Sequence, residues 1–119
     1  MKGNLMRPNK AAALIVALLF TSPSLAETVQ ASWYGAKGEY LNKHTANGER
    51  FNPVALTAAH RSLPFGTRLK VCFKSCTIVR ITDRGPAAYT GRSLDLSRGA
   101  ASAIGLTKAG VGRVTVERL

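Results

Sequence analysis

From residue 67 to residue 83, in the stretch TRLKVCFKSCTIVRITD, polar and apolar positions take turns on both sides of the short run FKS. Setting Cys72 opposite Cys76 predicts a hairpin in which Val71 pairs with Thr77, Leu69 with Val79 and Thr67 with Ile81. A period of two then sends Leu69, Val71, Val79 and Ile81 to a buried face and Lys70 and Arg80 to the other. Two residues past Ile81, Asp83 keeps the buried-face parity but stands where the strand ends, just before Arg84-Gly85-Pro86. A carboxylate is therefore expected at the rim of a core.

The rest of the pattern is shorter-ranged. ETVQASWYG alternates weakly, carries the β-formers Val29, Trp33 and Tyr34, and predicts a first strand closed by Gly35. Residues 36–53 are rich in Gly, Asn and charge and read as a long loop with a short strand near Tyr40; loops of that length are often functional. VALTAAH is a short strand or turn, RSLPFGT a corner, and SLDLS a further strand. Ser97 is a suitable N-cap for a helix over RGAASAIG that packs Ala100, Ala101 and Ile104 and stops at Gly105. GRVTVERL alternates Val114 and Val116 with polar neighbours and closes the chain as a strand. Many short strands, long excursions and one or two short helices predict an all-β protein, a small β-barrel.

The first 26 residues do not share this pattern. Lys2, Arg7 and Lys10 precede the apolar run AAALIVALLF, and Ser24-Leu25-Ala26 is a small-x-small ending suited to signal peptidase. The apolar run is ten residues long, against the roughly 20 needed to span a bilayer. Cleavage is expected after Ala26, and with no Cys at that point the product, residues 27–119, is expected to be soluble and not a lipoprotein. One domain of 93 residues has a modest core that profits from a staple.

Losing Lys2, Arg7 and Lys10 leaves 14 bases against six acids, a net charge of +8. In an exported protein that excess suits an anionic envelope polymer, or simple solvation of a small domain. The bases are scattered and not interleaved with aromatics, so nucleic acid is not the expected partner. In an oxidising compartment Cys72 and Cys76 read as a disulfide closing the three-residue hairpin loop. A metal site drawing on them with His44 and His60 matches no closed zinc spacing, and no metal or cofactor is expected.

The candidates for chemistry are Glu49, Asp83, Asp95, His44 and His60. Cleavage of a glycosidic bond needs a carboxylic acid that is protonated beside the leaving oxygen, and burial against apolar groups favours that state. Asp83, above Ile81 and Val79, has the best local setting. It can equally be the carboxylate of an Asp-Arg-Gly-Pro turn accepting backbone N–H bonds. Asp95, between Leu94 and Leu96, reads as a buried structural acid or a partner of the following helix dipole. His60 alone is a satisfied core histidine, and His44 and Glu39 are loop surface. In TANGERF, residues 45–51, Glu49 by itself is a turn acid.

Taken together, ASWYG, TANGERF, ALTAAHRSLPFGT, VRITDRGP and GRSLDLSRGAASAIG follow the order and approximate spacing of the RlpA-like proteins. The chain from residue 29 to residue 117 thus resembles the rare lipoprotein A family of septal-ring lytic transglycosylases. The resemblance implies a six-stranded double-psi β-barrel, a fold shared with expansins, barwin-type proteins and family 45 endoglucanases. It implies a groove for peptidoglycan glycan strands, preferably without stem peptides. Cleavage between N-acetylmuramic acid and N-acetylglucosamine would be non-hydrolytic, the sugar's own C6 hydroxyl closing on C1 as a 1,6-anhydro ring. That nucleophile is intramolecular, so no second carboxylate is needed to position a water. Asp83 falls on the family's principal acid, and Glu49 and His60 on two further positions tied to activity. Trp33, Tyr34, Thr45 and Arg84 fall on groove positions.

Asn52 stands where active relatives can carry an acid, no SPOR domain is expected after the barrel, and the Cys72/Cys76 hairpin is not a general family feature. The expected protein is a monomeric, periplasmic lytic transglycosylase with no stable membrane insertion after cleavage. The alternatives are a non-catalytic, expansin-like wall-binding or wall-loosening module, and a secreted inhibitor or effector on the same barrel.

Overall fold

Six strands close into a barrel in the order β1-β5-β2-β4-β3-β6 in a computed structural model that describes residues 25–119. The strands are β1 (Glu27–Tyr34), β2 (Thr57–Ala59), β3 (Arg68–Cys72), β4 (Cys76–Asp83), β5 (Leu94–Ser97) and β6 (Val111–Arg118). Among the described residues one helix, α1 (Arg98–Ile104), follows β5, and Ala88–Thr90 form a 3-10 turn. The leader assigned to residues 1–26 lies, through residue 24, outside the described residues. No helix among the described residues is long and apolar enough to cross a membrane.

The hairpin takes the register its alternation predicts: Leu69 faces Val79, Val71 faces Thr77, and Cys72 faces Cys76. The Ile81 N–H donates to the Thr67 carbonyl, 2.9 Å, which carries the pairing to its expected end. Cys72 and Cys76 are joined by a disulfide with their Cα atoms 4.0 Å apart. Leu69, Val71, Val79 and Ile81 are all buried, and with Leu94, Leu96, Ile104, Leu106 and Val114 they fill the barrel. Each such side chain stabilises the fold by roughly 1.5–3 kcal/mol on leaving water.

The local helix signals hold as well. Ser97 Oγ accepts the Ala100 N–H at 3.1 Å, and Gly105, at φ 82°, ends α1 in the left-handed region. In the loop of residues 36–53 no strand forms near Tyr40, which lies in a turn at φ 59°. The loop's only ladder contact is the isolated bridge between His44 and Arg50.

What alternation does not carry is the parallel pairing of β1 with β5 and of β2 with β4. Nor does it carry a bulge in β4: Ala58 pairs with Ile81 but Ala59 pairs with Asp83, so Thr82 is an extra residue. Both Ile81 and Thr82 are fully buried, and the parity of the strand is reversed after them. Asp83 therefore does not continue the interior face of Leu69, Val71, Val79 and Ile81, as unbroken alternation would require. It is turned to the outer face with Ala59, as bulges commonly re-aim a side chain beside a site.

Candidate functional site

The outer face of the barrel gathers residues from four adjacent strands. Ser32 pairs with Asp95, Asp95 with Ala59, and Ala59 with Asp83, so these side chains share one side, with Tyr34 two residues beyond Ser32. Trp33, Leu96, Ala58 and Ile81 take the opposite, interior side. Ala59, with a single methyl, keeps the floor between the two acids shallow.

Asp83 is partly exposed, and its partners come from three directions. Oδ1 accepts the Ala46 N–H at 2.9 Å and the Arg84 N–H at 3.0 Å, while Oδ2 accepts the Tyr34 hydroxyl at 3.2 Å. Burial holds the Tyr34 phenol well above its ordinary range and the Asp83 carboxylate adds to the effect, so Tyr34 stays a neutral donor. Its ring is stacked on Phe51, centroids 5.0 Å apart and 17° between planes, and meets Tyr40 edge-on at 5.6 Å. Gly35, at φ 92°, allows this packing: a Cβ there would stand 2.8 Å from the Phe51 ring.

TANGERF is the loop that delivers Ala46 to Asp83. The Thr45 N–H donates to the Glu49 carbonyl at 2.8 Å and the Gly48 N–H back to Thr45 at 2.9 Å, closing a tight turn. The Asn47 N–H donates to the Thr82 carbonyl at 3.1 Å and ties the turn to the bulge. Thr45 is buried, its hydroxyl donating to Asn47 Oδ1 and the Glu49 carbonyl. Glu49 receives both arms of the Arg80 guanidinium at 3.0 Å, and Asn47 Nδ2 at 3.0 Å. The Arg80 hydrogen bonds, followed by that of Asn47, hold its carboxyl below the usual range against a small opposing effect of burial.

The structure thus does not bring every expected residue to Asp83. No hydrogen bond joins Glu49 or the His60 ring to it; the contact from His60 is its backbone N–H, donating to the Asp83 carbonyl at 3.1 Å. His60 Nδ1 instead accepts the Ser62 and Leu63 N–H groups at 3.1 and 3.0 Å. Burial, then Arg61 and Arg84, push its imidazole below the ordinary value, with Glu27 opposing. The ring lines a cavity of about 310 Å³ with Val29, Leu63, Leu69, Leu94 and Val116, whose walls include neither Tyr34 nor either Asp. Arg84 donates to the His60 and Leu63 carbonyls at 3.2 and 2.9 Å and lies 3.9 Å over the Phe65 ring, clamping the loop after β2. Trp33 packs on the core and donates its indole N–H to the Thr107 carbonyl at 3.1 Å. Asn52 is exposed and caps its own turn, accepting the Val54 N–H at 3.1 Å. Among the described residues no three His, Cys, Asp or Glu side chains are grouped as metal ligands.

Asp95 is the site residue that sequence reading left in the framework. Ser32 Oγ donates to Asp95 Oδ1 at 2.9 Å. Burial holds the Asp95 carboxyl above its ordinary range; Ser32 and Arg92 pull it down, and the charges of Asp83 and Glu39 add to the rise. The signal was in SLDLS, where a period of two between Leu94 and Leu96 puts the intervening acid on the outer face.

The chain matches the lytic transglycolase family over residues 26–116. It is 56% identical over 91 residues to the probable endolytic peptidoglycan transglycosylase RlpA of Synechocystis sp., covering 73% of this chain and 27% of that one. With the endolytic peptidoglycan transglycosylase RlpA of Vibrio cholerae it is 42% identical over 94 residues, 76% of this chain and 35% of that one. The matched region is thus about a quarter to a third of the length of these two relatives. Among solved structures, the Streptomyces papain inhibitor superposes with a TM-score of 0.63 at 18% identity over 82% of this chain and 96% of the inhibitor. The Clavibacter michiganensis expansin does so with a TM-score of 0.63 at 20% identity, over 80% of this chain and 50% of the expansin. At such identities the likeness is one of fold. The family match runs from the residue before β1 into β6, and the chain belongs to the RlpA-like lytic transglycolase family of double-psi β-barrels.

Proposed function

We propose that this barrel is the catalytic domain of an extracytoplasmic peptidoglycan lytic transglycosylase. It cleaves glycan strands, preferably free of stem peptides, between N-acetylmuramic acid and N-acetylglucosamine and leaves 1,6-anhydromuramyl ends. The observation that carries this reading is Asp83, a partly exposed carboxylate turned outward by the β4 bulge and oriented by Tyr34 and Ala46. The RlpA relatives, with which the matched region shares 42–56% identity in the two cases above, are named as endolytic peptidoglycan transglycosylases, which supports the same chemistry.

The reaction asks little of the protein beyond acid–base chemistry and charge. A proton must reach the glycosidic oxygen, positive charge at the muramyl C1 must be stabilised, and a base must take the proton of the C6 hydroxyl as it closes on C1. Asp83 supplies the negative charge facing C1, with its geometry set before substrate arrives. Tyr34, on its Phe51 stack, gives a sugar ring an aromatic wall. Glu49, through Arg80 and Asn47, holds the loop that places the Ala46 N–H. His60 and Arg84 brace the loop after β2 from behind. The substrate strand is the partner; the domain acts as a monomer in the periplasm, released from its leader.

The test is to incubate the exported protein with peptide-free glycan strands and to look for anhydromuramyl ends by mass spectrometry. The reading requires anhydro product from the wild type and its loss in Asp83→Asn. Glycan binding without anhydro product would replace it with a wall-binding module, and new reducing ends would mean hydrolysis.

A further inference from the structure

The two acids of the outer face are not equivalent, and their hydrogen bonds divide the work between them. Both oxygens of Asp83 are occupied by donors: Oδ1 by the Ala46 and Arg84 N–H groups, Oδ2 by the Tyr34 hydroxyl. A proton added to Oδ1 would displace a backbone N–H that has no other partner. Asp95 has a single donor, Ser32, on Oδ1. Among the described residues its Oδ2 has no hydrogen-bond partner, and it is not one of the fully enclosed polar atoms that lack one, so it keeps some contact with solvent. Both carboxyls flank Ala59, with which each is paired in the sheet.

We infer that Asp95 carries the catalytic proton of the proposed reaction, on Oδ2, while Asp83 remains the carboxylate that faces the developing charge. The inference rests on the transglycosylase reading and assigns a residue to its central step. Asp95 Oδ2–H gives its proton to the glycosidic oxygen as the bond from that oxygen to the muramyl C1 breaks, releasing the N-acetylglucosamine 4-hydroxyl. The C6 oxygen then bonds to C1 and its proton passes to the Asp95 carboxylate. The acid is regenerated and no water is consumed. Burial, together with the Asp83 charge, favours the protonated form that the first half of this step needs. The groups that bear on Asp95 are Ser32 from β1, Asp83 from β4, Arg92 just before β5 and Glu39 from the loop after β1; β2 contributes only Ala59. Tyr34 keeps its own proton and its bond to Asp83 throughout.

The proposal separates from a structural role by leaving-group chemistry. Wild type, Asp95→Asn, Asp95→Glu and Asp83→Asn are compared on peptide-free glycan and on a p-nitrophenyl glycoside of N-acetylmuramic acid, whose phenolate departs without a proton. A positioned general acid contributes roughly 100-fold to 10,000-fold. Asp95→Asn is therefore expected to lose at least about 100-fold on glycan but less than about tenfold on the aryl glycoside, where the phenolate leaves unprotonated and the C6 proton can pass to water once the bond to C1 has broken. Asp83→Asn loses activity on both, and Asp95→Glu regains part of the glycan activity. Equal losses of Asp95→Asn on the two substrates, or wild-type glycan cleavage by it, would overturn the assignment and leave the transglycosylase reading standing. A wild type that yields no anhydro product overturns that reading, and this inference with it. If Asp95→Asn does not fold, carboxyl NMR titration of the wild type decides. Asp95 is expected to titrate above the ordinary carboxyl range and to move down in Asp83→Asn, and an ordinary value unmoved by Asp83→Asn would overturn the proposal.

Discussion

Glu49 and Arg80 meet through two hydrogen bonds of 3.0 Å each, and neither touches Asp83. Arg80 extends outward from β4 three residues before the acid, and Glu49 closes the turn that delivers the Ala46 N–H. The pair therefore acts on Asp83 through the loop. It is also two-fifths exposed or more on each side, so its own contribution to stability is about 1 kcal/mol or less.

Glu49→Gln, Arg80→Gln and the double variant are expected to lose similar activity, on the order of tenfold each. The losses should not multiply, because the second substitution removes nothing that the first left in place. A kcat/KM cycle on glycan measures this. Strict additivity, or a Glu49→Gln loss far beyond that of Arg80→Gln, would show that Glu49 touches substrate directly. Acidification acts alike: the Glu49 carboxyl lies below its unfolded value, so the pair is present above that value and is lost as pH falls through the lowered one.

Tyr34→Phe keeps the stack on Phe51 and removes the hydroxyl that holds Asp83 Oδ2. A hydrogen bond to a charged group is worth about 1.5–3 kcal/mol, so kcat/KM is expected to fall roughly 10-fold to 100-fold. The same bond supports the fold, so the melting temperature should fall too, by roughly 4–8 °C for each kcal/mol lost. A wild-type rate would mean that Ala46 and Arg84 alone fix the carboxylate.

Asp95 makes stability depend on pH in a direction opposite to that of most carboxylates. Its folded value lies above the unfolded one, so its contribution is present at low pH and is lost as pH rises through the raised value. Asp95→Asn removes that loss. Its urea midpoint at pH 7 is expected to exceed that of the wild type, the gain vanishing below the unfolded value of 3.8. A lower midpoint at pH 7 would mean that the Ser32 bond outweighs burial.

His60 contributes with the other sign. Its Nδ1 must stay unprotonated to accept the Ser62 and Leu63 N–H groups, and its folded value is depressed below 6.5. Its contribution is present above that unfolded value and is lost as pH falls through the depressed one. His60→Ala is expected to cost about 1 kcal/mol at pH 7 and to flatten this acid limb in urea titrations.

The disulfide closes a three-residue loop between Cys72 and Cys76, and for so short a loop the chain-entropy stabilisation is about 2 kcal/mol. Cys72→Ser with Cys76→Ser should lower the melting temperature by several degrees and leave the rate on glycan unchanged at ambient temperature. A change in rate would tie the hairpin tip to the groove.

Some of this was legible residue by residue. The hairpin register, the disulfide, the Ser97 cap and the Gly105 stop are set by neighbours a few positions apart, so period-two alternation and cap chemistry reveal them before any fold is known. Thr82 is the point at which that logic fails. Nothing local marks it as an extra residue; it is one because β2 and β4 run parallel and must match Ala58 to Ile81 and Ala59 to Asp83 within a closed barrel.

The sequence by itself determined the β3–β4 hairpin, the first and last strands, the helix with its caps and the family motifs. Only the tertiary structure decided that Asp83 faces outward, that Asp95 joins it across Ala59, and that the side chains of Glu49 and His60 make their hydrogen bonds elsewhere. The physical reason is range. Alternation and capping act between residues that are near along the chain, whereas the site is made by pairings between strands 23 to 63 residues apart, which exist only once the barrel has closed.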